Sequence, residues 1–247
     1  MANQVDPRIA FPRANAGVVA GDASFDAGLR SYMLSVYNYM ASGVLLTGVV
    51  ALFFARGGRD SLAAQIFMQP GILKWIVMLA PFALVMVLSF GINKLSETSA
   101  KALFWVYAAL MGASLSTILL VYTGASVAST FFATAAGFAA LSLYGYTTKR
   151  DLSGMGKFLM MGLVGLIVAS LINMFTQSNT MSLIISVIGV FLFAGLTVYD
   201  TQKIKEMYYH VQGTDMMGKT IIMGALTLYL DFINLFLFLL RFMGDRR

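Results

Sequence analysis

Hydrophobic and polar positions along this chain fall into long blocks. A polar stretch over residues 1–30 is followed by seven apolar segments, at about residues 31–55, 73–93, 102–122, 126–146, 158–175, 181 to beyond 200, and 221–244. Each approaches or exceeds the roughly 20 residues that carry an α-helix across a hydrocarbon core of about 30 Å at about 1.5 Å per residue. The pattern predicts an all-α membrane protein with seven transmembrane helices, the sixth staying helical past Asp200 into KIKEMYY. Trp75, Trp105, Tyr122, Tyr144 and Tyr146 fall near segment ends, where amphipathic rings suit the headgroup region. The Gly112/Ser116 spacing would let two helices approach closely.

Composition agrees with this class. Of 247 residues, 59% are hydrophobic and 11% charged, against about 25% charged in a soluble domain. The first 30 residues hold Pro7, Pro12, Gly17 and Gly21 among mixed charges, with no apolar run before a cleavage site. They read as a disordered cytoplasmic tail and not as a signal peptide, leaving residues 31–247 as the transmembrane domain. Cysteine is absent, which excludes disulfides, thiolate chemistry and cysteine-based metal sites. A single histidine, His210, excludes a multi-histidine centre and reads as an interfacial side chain.

The net charge of +6 matters through its distribution and gives no reason to expect nucleic acid as a partner. Connections after the second, fourth and sixth segments carry Lys94, Lys101, Lys149, Arg150, Lys157, Lys203, Lys205 and Lys219. Those after the third and fifth, residues 123–125 and 176–180, carry no Lys or Arg. The positive-inside rule therefore places the first set, and the N-terminus, in the cytoplasm. Seven full spans put the end of the seventh segment outside. Arg241, Arg246 and Arg247 would instead suit a re-entrant helix returning inside.

The seventh segment, IIMGALTLYLDFINLFLFLLRFMG, carries one carboxylate, Asp231, at its middle. Helical spacing sets Thr227, Asp231 and Asn234 on one face. An acid at that depth costs about 2.5–3.5 kcal/mol on insertion scales, so its partner is the functional question. Asp200, in GLTVYDTQKIK, is the candidate. Two carboxylates about 4 Å apart repel by about 4 kcal/mol at an effective dielectric near 20, which favours a pair holding one proton and titrating as a unit. Without that proton the site would repel itself or attract a hard cation such as Ca²⁺. Thr197, Thr227 and Asn234 are candidate pore-lining residues. Lys94 is a candidate latch onto Asp200; the alternative is an ordinary snorkelling anchor.

Other features carry less. GTDMMGKT, Gly213 to Thr220, matches the phosphate-loop pattern but lies between two membrane helices, where the α/β context that gives the pattern force is missing. Ser170 and Asn173 could line a polar path or simply bond to a neighbouring helix. The 17 methionines read as packing. No HExxH, GxSxG or base–nucleophile pair suggests an enzyme.

Three stretches, Phe104–Ile118 (FWVYAALMGASLSTI), Gly195–Lys205 (GLTVYDTQKIK) and Leu228–Gly244 (LYLDFINLFLFLLRFMG), resemble the Bax inhibitor-1, or transmembrane Bax inhibitor motif, family, and its bacterial branch most. The resemblance covers about residues 31–244. It implies two layers of three helices around a central C-terminal helix, and a pH-dependent calcium leak whose aspartate pair falls on Asp200 and Asp231. It also implies a cationic latch from the end of the second helix, where this chain has Asn93-Lys94 in place of the family's arginine; lysine lacks the bidentate fork. The second helix also lacks an intramembrane acid that some members have. The expected protein is thus an inner-membrane calcium-leak channel gated by protonation of Asp200/Asp231. Its partners would be the bilayer and Ca²⁺, the latter bound transiently by the two aspartates, with no cofactor. The rival readings are an adaptor that regulates a membrane protease or a death or stress pathway through protein contacts, and a proton-coupled transporter.

Overall fold

The computed structural model describes residues 16–247, with side chains from residue 26 onward. The α-helices are α1 (Ala16–Ala55), α2 (Leu62–Met68), α3 (Leu73–Gly91), α4 (Glu97–Leu115), α5 (Ile118–Val121), α6 (Gly124–Thr147), α7 (Ser153–Thr176), α8 (Asn179–Val211) and α9 (Met217–Met243). Seven stretches are long and apolar enough to cross a bilayer: Asp26–Ala55 of α1, α3, α4 with α5, α6, α7, α8 and α9. The chain is an integral membrane protein, all-helical among the described residues, as its hydropathy predicts.

Three local features depart from the sequence reading. Helix α1 begins at Ala16, ahead of the expected start at residue 31. The tail expectation for residues 1–15 lies outside the described residues. The connection after α1 is structured, with a 3-10 turn (Gly58–Asp60) and then α2, whose first turn is capped by Ser61 accepting from Ala64 N at 3.2 Å. The third span breaks between α4 and α5. There Ser116 Oγ donates to the Ala113 carbonyl (2.6 Å) and Thr117 Oγ1 to that of Ser114 (3.4 Å), back-bonding of the kind that bends helices.

Helices α1, α3 and α4 pack as one layer and α6, α7 and α8 as another, with α9 between them against α8, α1, α6 and α4. This is the arrangement the family resemblance implies. Lipid tails are as apolar as leucine, so close packing and hydrogen bonds assemble such a bundle. Gly112 lets α4 press on the backbone of α1 at Thr47, and Gly145 lets α6 press on the backbone of α8 at Val198. Across the centre, Thr47 Oγ1 donates to the Ala108 carbonyl (2.8 Å), so its 2.6 Å bond with Tyr229 is donated by the tyrosine.

The two ends of the bundle differ. At the end rich in cations, Gln202 of α8 holds the α6–α7 connection through Arg150 O (2.8 Å) and Leu152 N (2.9 Å). At the same end Glu97 packs on Gly218 at the start of α9, and Tyr208 packs on Gly28 of α1. At the other end the residues after α9 bond to the α5–α6 turn: Thr123 N to Asp245 O (3.0 Å), Arg247 N to Val121 O (2.9 Å) and Asp245 N to Ser126 Oγ (2.9 Å). Helix α9 therefore runs unbroken through the bundle, and the re-entrant alternative for the seventh segment is not what forms.

Candidate functional site: two carboxyl groups between α8 and α9

Helices α8 and α9 run antiparallel, with Gly189 meeting Phe238 at one end of their contact and Ile204 meeting Gly224 at the other. That register brings the Asp200 carboxyl group to the Asp231 carboxyl group. Two carboxyls brought together can hydrogen-bond to each other only if one carries a proton, since an ionised carboxylate accepts and cannot donate. Asp231 is 4% exposed and its Oδ2 is buried with no hydrogen-bond partner among the described residues. Asp200 is half-buried on the side of the cationic end.

Lys203 lies one turn beyond Asp200 on α8 and is exposed, with its Nζ 6.0 Å from the Tyr199 ring centroid. Lys94 is exposed in the turn after α3, and among the described residues the one ion pair is Glu97–Lys101. Thr197 is fully buried and donates to the Phe193 carbonyl at 2.8 Å. Thr227 and Asn234 are half-buried and donate to Met223 O (3.0 Å) and Leu230 O (2.8 Å). All three thus spend a donor within their own helix, Thr227 and Asn234 one turn to either side of Asp231. Asp200 and Asp231 line neither of two sizeable cavities, which lie along α1 and α6. Among the described residues no three His, Asp or Glu side chains group as a metal site.

The remaining candidates fall away from this pair. Asn173 Oδ1 accepts from Ser178 N (3.1 Å) and Ser170 donates to Leu166 O (2.8 Å), so both serve their own helix or turn. His210 is exposed in the last turn of α8. In the phosphate-loop pattern, the space against Gly218 is taken by the Glu97 carboxylate. A negative group there suits the positive end of the α9 dipole.

Sequence reasoning missed two polar links. One is the Thr47–Tyr229 pair. The other runs from Tyr37 on α1 to Ser142 on α6 (2.6 Å) and on to Thr201 on α8 (2.9 Å), next to Asp200. Their only signal in the sequence is a hydroxyl in an apolar segment, and such hydroxyls are too numerous to pair.

Comparison with known proteins agrees with this architecture. The family model described as "Inhibitor of apoptosis-promoting Bax1" matches residues 29–247. A protein of Rickettsia prowazekii (strain Madrid E) is 49% identical over 229 residues, which cover 91% of this chain and 93% of that one. Inner membrane protein YbhL of Escherichia coli (strain K12) is 48% identical over 223 residues, covering 90% and 94%. A protein of Caulobacter vibrioides is 44% identical over 239 residues, covering 92% and 93%. With its seven-span bundle and a match over nearly all of its described length, the chain belongs to the Bax inhibitor-1 family of membrane proteins.

Proposed function

We propose that the chain is a pH-sensitive calcium-leak channel, opened or closed by the protonation state of the Asp200/Asp231 pair. By its similarity to YbhL we place it in a bacterial inner membrane, with the cationic end and the N-terminus in the cytoplasm. The observation that carries the reading is the pair of carboxyl groups brought together between α8 and α9, with Asp231 buried and its Oδ2 unpartnered among the described residues. A proton shared between the two carboxyl groups would tie the two helices by a hydrogen bond. Loss of that proton leaves two anions in a low-dielectric interior, and their repulsion separates the helices unless a cation enters between them.

Calcium prefers six to eight oxygen ligands, and two carboxylates supply at most four. An ion at the pair would keep part of its water, which suits passage better than residence. Thr227 and Asn234 flank Asp231 on α9 and Thr197 neighbours Asp200 on α8, and we assign them to the lining of the path in its open state. Lys94 would act as a latch on Asp200 only in a state other than the one described here.

The test is Ca²⁺ efflux from proteoliposomes across pH. The wild type should show a pH-dependent flux, and Asp200→Asn and Asp231→Asn should each flatten it, because an amide keeps the hydrogen bond but cannot lose the proton. Flux from wild type with identical pH profiles in both variants would remove the pair from the mechanism. The second reading, a membrane adaptor, draws on the family description, which names a protein target. It predicts no flux from purified protein and a stable protein partner on pull-down.

A further inference from the structure

Helices α1 and α6 barely touch, although both lean on α9. Between them lies a groove floored by Phe232, divided at its middle where Phe131 meets Phe232 at 5.6 Å between ring centroids. The half toward the cationic end is a cavity of about 700 Å³. Its walls carry small side chains, Ala41 on α1 and Ala135 and Ala139 on α6, which leave a slot between the two helices. Along α6 it runs from Phe131 to Tyr146, about 22 Å at 1.5 Å per residue, which is the depth of one leaflet with its interface. The half beyond the aromatic divide is a separate cavity of about 360 Å³.

The polar groups of the larger cavity sit at its mouth: Tyr37, Ser142 and Tyr146. Lys205 of α8 stands there, half-buried, with Nζ donating to the Tyr146 carbonyl at 2.8 Å and lying 5.3 Å from the Tyr146 ring centroid. It forms no ion pair among the described residues. Lys149 and Arg150 follow in the adjoining α6–α7 connection, both exposed, while Asp151 is engaged by Ser153 N at 2.8 Å. The slot is therefore apolar for one leaflet's depth, blocked near the bilayer midplane, and cationic where it opens.

We propose that this half of the α1/α6 groove seats one acyl chain of an anionic phospholipid, with the headgroup phosphate at Lys205. A neutral helix from a protein partner would leave the cationic mouth unmatched. An anionic lipid meets both ends of the slot at once. The seat is distinct from the Asp200/Asp231 pair and does not depend on how that pair functions.

The test uses the full chain purified in detergent and titrated with micelles containing phosphatidylglycerol or phosphatidylethanolamine, with retained lipids counted by native mass spectrometry. Wild type should hold one phosphatidylglycerol in preference to phosphatidylethanolamine. Ala139→Trp, which fills the slot from an exposed wall position, should lower retention of both lipids about tenfold. Ala41→Phe fills it from the opposite wall and should do the same, so the test survives if one variant fails to fold. Lys205→Gln should lower phosphatidylglycerol retention about fivefold, the factor for one interfacial cation, and leave phosphatidylethanolamine unchanged. Retention unaltered in the folded slot-filling variants would overturn the proposal. So would equal retention of the two lipids by wild type, or a second copy of the chain bound in place of lipid.

Discussion

Helices α7 and α9 are both apolar over a full membrane crossing, and α7 is the more hydropathic of the two. Yet 56% of the residues in the most apolar window of α9 are buried, against 11% of those in α7. What separates them is the minority of polar side chains. Helix α9 carries Thr227, Tyr229, Asp231 and Asn234 through its middle and is the centre of the bundle. The middle of α7, from Met160 to Ile172, offers Ser170 alone among polar residues and presents Met161, Val164 and Ile167 to lipid. In a bilayer, hydrophobicity places a helix in the membrane without saying which face looks inward. Polar groups decide that, because they have no water to turn to.

The contrast can be broken in several ways. The largest effect should come from added bulk. Gly145→Leu would drive a side chain into the α8 backbone at Val198 and should cost about 3 kcal/mol, whereas Gly165→Leu on α7 enters open space and should stay within about 0.5 kcal/mol. Thermal unfolding in detergent reads both, and equal losses would mean that α7 is no lipid-facing helix. Next comes Tyr229→Phe, which removes the hydroxyl bonded to Thr47 and should cost about 1 kcal/mol. Tyr144→Phe, at a half-exposed position on α6, should leave the melting point unmoved. A smaller loss, below about 1 kcal/mol, is expected from Ser126→Ala, which frees Asp245 N at the end of α9.

The smallest effect lies at the entrance to α7. Ser153, through its hydroxyl and then its backbone N–H, holds the exposed Asp151 carboxyl below the usual aspartate range. Because the folded value is depressed, the stabilisation is complete above the unfolded value of about 3.9 and fades as pH falls through the folded one. Carboxyl NMR should show Asp151 titrating below that reference in the wild type and returning toward it in Ser153→Ala.

Much of this was legible in the sequence. Seven spans follow from segment length and hydropathy. An acid in mid-membrane has so few ways to be satisfied that Asp231 points to Asp200 before any coordinates are seen. The helical run past Asp200 into KIKEMYY was legible too, and ends at Val211. Other features depend on shape. The separation of Lys94 from Asp200 could not be read, because it depends on how α3 packs relative to α8, two helices distant in sequence. The start of α1 at Ala16 was hidden because Gly17 and Gly21 read as tail residues. The slot between α1 and α6 is made by alanines, which signal packing and emptiness equally.

The hydrogen bond from Tyr37 to Ser142 crosses an otherwise thin junction between α1 and α6. The two three-helix layers meet directly where Tyr208 of α8 packs on α1 and elsewhere lean on α9, so the width of the α1/α6 junction is one coordinate that can be followed. With no native cysteine to mask, a thiol pair engineered across that junction would report whether the halves breathe, and an oxidised pair would pin them shut. The molecule carries its own place for a clasp.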